Sequence, residues 1–163
     1  MDDLDRFKTA QAAADGGYAT ALRELAAGRK TSHWIWYVFP QISGLGSSPA
    51  ARRYALASVE EAETYLRDPV LGERLLAITE AVCQQLFGKP PTALVTLMGS
   101  HIDALKLVSS MTLFAAVAER LRTQEPGARH ARIAAAARAV LDEAKAQGFP
   151  PCAHTEACLR GAG

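Results

Sequence analysis

Three side chains suited to acid–base chemistry stand close to large aromatic rings in this 163-residue chain. His33 lies in "KTSHWIWYVFPQISGLGSSP", residues 30 to 49, and Asp103 and Lys106 lie in "GSHIDALKLVSSMTLF", residues 99 to 114. An imidazole or a carboxylate can take a proton from water, and an ammonium can offset charge that develops on a leaving group. The chemistry that follows is hydrolysis at a glycosidic or phosphoester bond, with Asp103 or His33 as base and Lys30 or Lys106 on the leaving group. That scheme needs neither metal nor cofactor.

Around these groups the sequence supplies the parts of a binding site. Trp34 and Trp36 offer flat apolar walls, and Lys30, Gln41, Ser47 and Ser48 offer polar contacts. The glycines of "GLGSS" let the backbone come close to a ligand. In the second stretch Asp103, Lys106 and Ser110 recur at helical spacing, so a carboxylate, an ammonium and a hydroxyl align on one side. A ring stacked on the tryptophans with its polar remainder on the loop is the mode of a nucleotide-like or ADP-ribose-like small molecule. "GLG" is not a dinucleotide fingerprint, since it lacks the third glycine and a preceding strand, and no P-loop lysine follows it.

Each feature also has a packing explanation. Tryptophans fill cores, and a negative charge in the first turn of a helix, three residues before a lysine, is a common surface device. "SSMT", 109 to 112, fits neither role easily, because each buried hydroxyl requires a partner. Its hydroxyls must bond back to helix carbonyls or line something polar. The rival to a ligand pocket is a non-catalytic protein–protein interaction module, with the Ala-rich segment 126 to 147 as its contact face.

The elements that must position these groups are helices. Leu4 and Phe7 recur at helical spacing before Asp15-Gly16-Gly17, and Tyr18, Leu22 and Leu25 do so before Gly28. Ser58 with Glu61 forms a capping box, Asp68-Pro69 is an N-cap with a first-turn proline, Pro90-Pro91 begins a short helix, Ser100 caps the helix carrying Asp103, and Pro126 opens a long segment reaching Gly148. "WIWYVF" has strand-like content but no partner strand, which favours a helix turn or an extended segment. The fold class expected is all-α: a compact multihelical single domain over 1–150, with residues 151–163 as a C-terminal tail packing on it.

Composition narrows the function classes. Hydrophobic residues make up 49% and charged ones 21%, as in a globular domain. Eighteen Lys and Arg balance seventeen Asp and Glu for a net charge of +1, which gives no global field for nucleic acid. The acidic N-terminus is unlike a secretory signal, and no uninterrupted apolar run approaches a membrane span, so a cytoplasmic location is expected. Three cysteines at irregular spacing fit a reducing compartment. Cys152, His154 and Cys158 are soft ligands close together, but their spacing matches no standard zinc site, and no metal is expected. Arg52 and Arg53 read as solvated charge. The sequence carries no signature of an oligomeric state.

Four segments together resemble a known family: "RFKTAQ", "YATALRELAAGRKTSHWIWYVFPQISGLGSS", "EEAETYLRDPVLGERL" and "HIDALKLVSSMTLF". They are similar to a bacterial domain family of unknown function, DUF1810, whose members genome annotation often mislabels calpastatin. The resemblance runs from Asp5 to about Phe114 and is loose beyond Gly148. It implies a compact, mainly helical domain and brings no reaction with it. Calpastatin-type inhibitors are disordered and repetitive, and this chain is neither.

Overall fold

The computed structural model describes residues 3–162, and they form ten helices joined by short connections. These are α1 (Asp5–Gln11), α2 (Tyr18–Ala26), α3 (Ile35–Val38), α4 (Pro49–Arg53), α5 (Val59–Arg67), α6 (Pro69–Leu86), α7 (Leu94–Met98), α8 (His101–Gln124), α9 (Ala128–Ala146) and α10 (Ala153–Gly161). The only extended pairing among the described residues is a single bridge between Ile42 and Leu56. The fold is all-α.

Helix α8 is the axis. Between Leu107 and Ala115 every side chain is buried, the hydroxyls of Ser109, Ser110 and Thr112 included, so this segment is enclosed on all sides, as a central core helix is. By length and composition it could cross a bilayer, yet most of its apolar window is enclosed by the rest of the protein. Helix α9 packs along it, with α5, α7 and α10 around its other sides. Helix α6 lies against α9 and α5 and carries α2. The alanines of α9, among them Ala134, Ala137 and Ala144, are what let α9 sit close between α6 and α8. Phe7, Tyr65 and Phe114 meet at the centre, with the Phe7 and Tyr65 rings edge to face at 5.2 Å.

Local sequence sets the helix starts. Ser58 Oγ accepts the Glu61 amide, while Glu61 reaches back to the amide of Ala57. Asp68 accepts the amides of Val70 and Leu71 ahead of α6, and Ser100 accepts the amide of Asp103 ahead of α8. Each cap satisfies donors that have no partner within the helix. One expectation shifts: the helix after Pro90-Pro91 begins only at Leu94, because the two prolines occupy the approach and Ala93 is its N-cap. "WIWYVF" forms one helical turn, α3, followed by an extended run, in line with its lack of a partner strand. Residues 153–161 fold as α10, docked on α8.

Candidate functional site

The aromatic stretch is held by a residue that motif reading passed over. Glu24, near the end of α2, accepts the amides of Thr31 and Ser32, the hydroxyl of Ser32 and the indole N–H of Trp34. Burial pushes its carboxyl up, but the Ser32 hydroxyl, the two amides and the indole outweigh that and hold it down at about 2. Trp34 is fully buried. It presents no face to solvent and cannot serve as a stacking wall, because its large area is used in the core and its N–H on Glu24. His33, one residue earlier, is exposed and makes no hydrogen bond to Asp103. The pairing that would make it a base oriented by that carboxylate is absent.

Asp103 has a different partner. The Lys30 ammonium, its side chain only 4% exposed, lies 2.7 Å from Asp103 Oδ2, donates to the carbonyl of Ser32 and sits 5.0 Å over the Trp34 ring. Lys106 is farther from the same carboxylate, at 3.9 Å, and covers Trp36 with its ammonium 4.9 Å from the ring centre. Two ammoniums therefore share one carboxylate. Lys30 is tied in further by its backbone, since its amide donates to Leu97 O and its carbonyl lies against Gly99, a residue at φ +80°. A Cβ at Gly99 would sit 2.5 Å from that carbonyl oxygen. Ser110 follows Asp103 and Lys106 along the same side of α8, but deeper in the fold. It is fully buried, and its hydroxyl has no partner among the described residues.

Beside this cluster lies an open cleft of about 730 Å³. One wall is the loop from Gln41 to Ala51, with Leu45, Ser47 and Ser48. The second is α8, through Ile102, Leu105, Lys106, Val108 and Ser109. The third is Pro150 to Ala153, ahead of α10. Of the sequence candidates, Gln41, Ser47, Ser48 and Lys106 line this cleft, whereas Lys30, His33, Trp34, Trp36, Asp103 and Ser110 do not. Ile102 and Leu105, at 63% and 48%, are among the few large hydrophobic side chains left exposed, and both face the cleft.

The "SSMT" hydroxyls explain how the third wall is held. Thr112 Oγ1 donates to Val108 O at 2.7 Å and accepts the amide of Cys152 at 3.1 Å, and Ser109 meets the hydroxyl of Thr155 at 3.3 Å. Thr112 thus bonds back to the helix, and Thr112 and Ser109 together dock the start of α10. Cys152, half-buried on the cleft, is pushed up by burial, yet hydrogen bonds from Thr155, Ser109 and the His154 amide outweigh this and lower its thiol. His154 bonds the carbonyl of Ser43 at 2.9 Å, joining α10 to the loop on the opposite wall. Its ring fills the space beside Gly44, which sits at φ +102°. Cys158 Sγ is 3.7 Å from His154, and among the described residues no three His, Cys, Asp or Glu side chains gather as a metal site requires.

The third wall is the part that sequence reading missed. Pro150-Pro151-Cys152 was the only signal, a rigid pair before a helix start, and nothing local says that it faces residues 41 to 51.

The family model for proteins of unknown function DUF1810 matches residues 1–127. The chain belongs to the DUF1810 family. It is also similar to the conserved hypothetical protein Rv1873 of Mycobacterium tuberculosis, known from a crystal structure, at 38% identity and a TM-score of 0.70, with 95% of this chain and 94% of that one covered. No curated protein sequence matches. In DUF1810 terms the cleft is composite. Two of its walls lie in the matched region, and the third, residues 150–153, lies beyond it.

Proposed function

We propose that this DUF1810 protein binds a small molecule in the cleft between the Gln41–Ala51 loop, the first turns of α8 and the Pro150–Ala153 wall. The observation that carries this is the coincidence of an open 730 Å³ recess with exposed Ile102 and Leu105 on its floor. A recess of this size matches sites that enclose drug-sized molecules, and leaving two large aliphatic side chains in water has a cost that a bound ligand offsets.

Binding rather than turnover is the reading the geometry favours. A hydrolase of the expected kind needs a free base at the ligand, but Asp103 is committed to Lys30 and His33 lies apart from the cleft. A nucleotide-like ligand stacked on tryptophan is also less well served, since the lining contains no aromatic side chain.

The test is a thermal-shift screen of the purified protein against nucleotides, ADP-ribose, sugar phosphates and medium-chain alkyl acids, repeated with Leu105→Asp. Leu105 is half-exposed, so this substitution leaves the core intact. A ligand at a hundred times its dissociation constant stabilises the native state by about 2.7 kcal/mol, a shift of a few degrees for a domain of this size. A shift in wild type that Leu105→Asp abolishes supports the cleft. No shift with any class, or one that survives Leu105→Asp, overturns it.

A further inference from the structure

The lining of the cleft specifies more than a volume. Leu45, Ala51, Ile102, Leu105, Val108 and the two prolines make its surface mainly aliphatic. Such a surface rewards flexible hydrocarbon, which gains with every methylene it buries, and offers no aromatic face for a planar ring to stack on.

The charge is equally one-sided. No Asp or Glu lines the cleft, and its single ionic side chain is Lys106. The carboxylate nearest that lysine is already engaged, since Asp103 Oδ2 is 2.7 Å from Lys30 whereas its Oδ1 is 3.9 Å from Lys106. Lys106 is thus the one cation on the cleft lining, and the carboxylate nearest to it is held more closely by Lys30. The hydroxyls of Ser47 and Ser48 on the opposite wall can donate to an anion held there.

Resting on the cleft being a binding site, we propose that its ligand is an amphipathic anion: an unbranched aliphatic chain lying along Ile102, Leu105 and Val108, with a carboxylate or phosphate monoester head on the Lys106 ammonium. The head group is recognised by charge and the chain by area. Lys106 is suited to this because its ammonium is already positioned, 4.9 Å from the Trp36 ring centre and 3.9 Å from Asp103, on a side chain that is only 23% exposed. Engaging an anion there adds a partner to the lysine without breaking the shorter Lys30–Asp103 pair.

Cys152 gives a direct readout of occupancy, since its half-buried thiol lines the same cleft. The experiment measures the rate at which iodoacetamide alkylates Cys152, resolved by peptide mass spectrometry, together with calorimetric titration. The probes are decanoate, decyl phosphate, decanol and AMP, each below its micelle concentration. Decanoate or decyl phosphate is expected to slow Cys152 alkylation at least tenfold at saturation, and decanol to bind at least tenfold more weakly. The stronger of the two anions identifies the head group. Lys106→Met, which keeps an unbranched side chain of similar length but removes the charge, is expected to bring anion and alcohol to equal affinity, and Lys106→Arg to restore the preference.

Equal binding of decanoate, decyl phosphate and decanol in wild type overturns the role of Lys106. Protection of Cys152 by AMP with none by the alkyl compounds overturns the ligand class while the cleft stands as a site. If no probe alters Cys152 alkylation and the broader screen shows no Leu105-dependent shift, the ligand class and the cleft fall together.

Discussion

Two regions built from the same stretch of chain behave in opposite ways. The knot of residues 24 to 34 saturates its polar groups: Glu24 takes four donors, Lys30 has a carboxylate and a carbonyl, and Trp34 is fully enclosed. Seven residues later the segment from Gln41 to Ala51 leaves aliphatic side chains facing open space across the cleft. The first region is closed by its own bonds, and the proposed binding site lies at the second. A residue that carries eye-catching chemistry in the sequence can therefore belong to the scaffold, while plain aliphatic residues line the proposed site.

The sharpest way to break this contrast is Glu24→Ala. It strands the buried indole N–H of Trp34 and two backbone amides, and we expect a loss of about 3 kcal/mol in urea unfolding. A loss below about 1 kcal/mol would mean that the knot is not the rigid half of the pair. The same carboxylate predicts a pH dependence. Its folded value near 2 lies below the ordinary value of 4.5, so between those two the unfolded state binds more protons. The Glu24 contribution is complete above about pH 4.5 and is lost as pH falls toward 2. Asp68 acts in the same direction, its carboxyl pushed up by burial but held lower by Lys8 and the amides of Leu71 and Val70. The Glu24 share is isolated by comparing urea midpoints against pH for wild type and Glu24→Gln. Parallel curves through that window would refute it.

Gly99→Ala should come next, at about 2 kcal/mol. It forces a Cβ against the Lys30 carbonyl at a left-handed backbone position. A thermal melt within a degree of wild type would show that the junction of α7 and α8 yields more easily than its close contact suggests. The smallest effect is expected at the cleft itself. Ile102→Ala and Leu105→Ala should each change stability by less than about 0.5 kcal/mol because both side chains are exposed, yet each should weaken ligand binding severalfold. A large stability loss in either would erase the division between scaffold and site.

The helices were legible in the sequence because their signals are local. Ser58, Asp68 and Ser100 each sit next to the amides they cap, and periodicity assigns Val70, Leu71, Leu75, Ile78 and Val82 to an inner face without knowledge of what covers them, where all but the exposed Val70 lie. The partner of a charge is not local. Asp103 has Lys106 one helical turn away and Lys30 seventy-three residues away, and the distant partner is the closer one in space. The Trp34 indole likewise finds its acceptor outside the aromatic run, in a Glu24 that spacing alone shows as an ordinary helix-surface carboxylate. Gln41, Ser47, Ser48 and Lys106 could be chosen from residue type and position, whereas the Pro150–Ala153 wall requires the path of the whole chain.

The hydrogen bond from His154 to the Ser43 carbonyl spans 111 residues of sequence. Bringing such distant segments together costs chain entropy that only an already ordered body can offset, so this latch should close after α6, α8 and α9 have packed. The cleft is then a late product of folding. His154→Ala should accelerate unfolding while leaving the folding rate unchanged, a φ-value near zero, and a nascent chain that still lacks α10 should have its core but no ligand site.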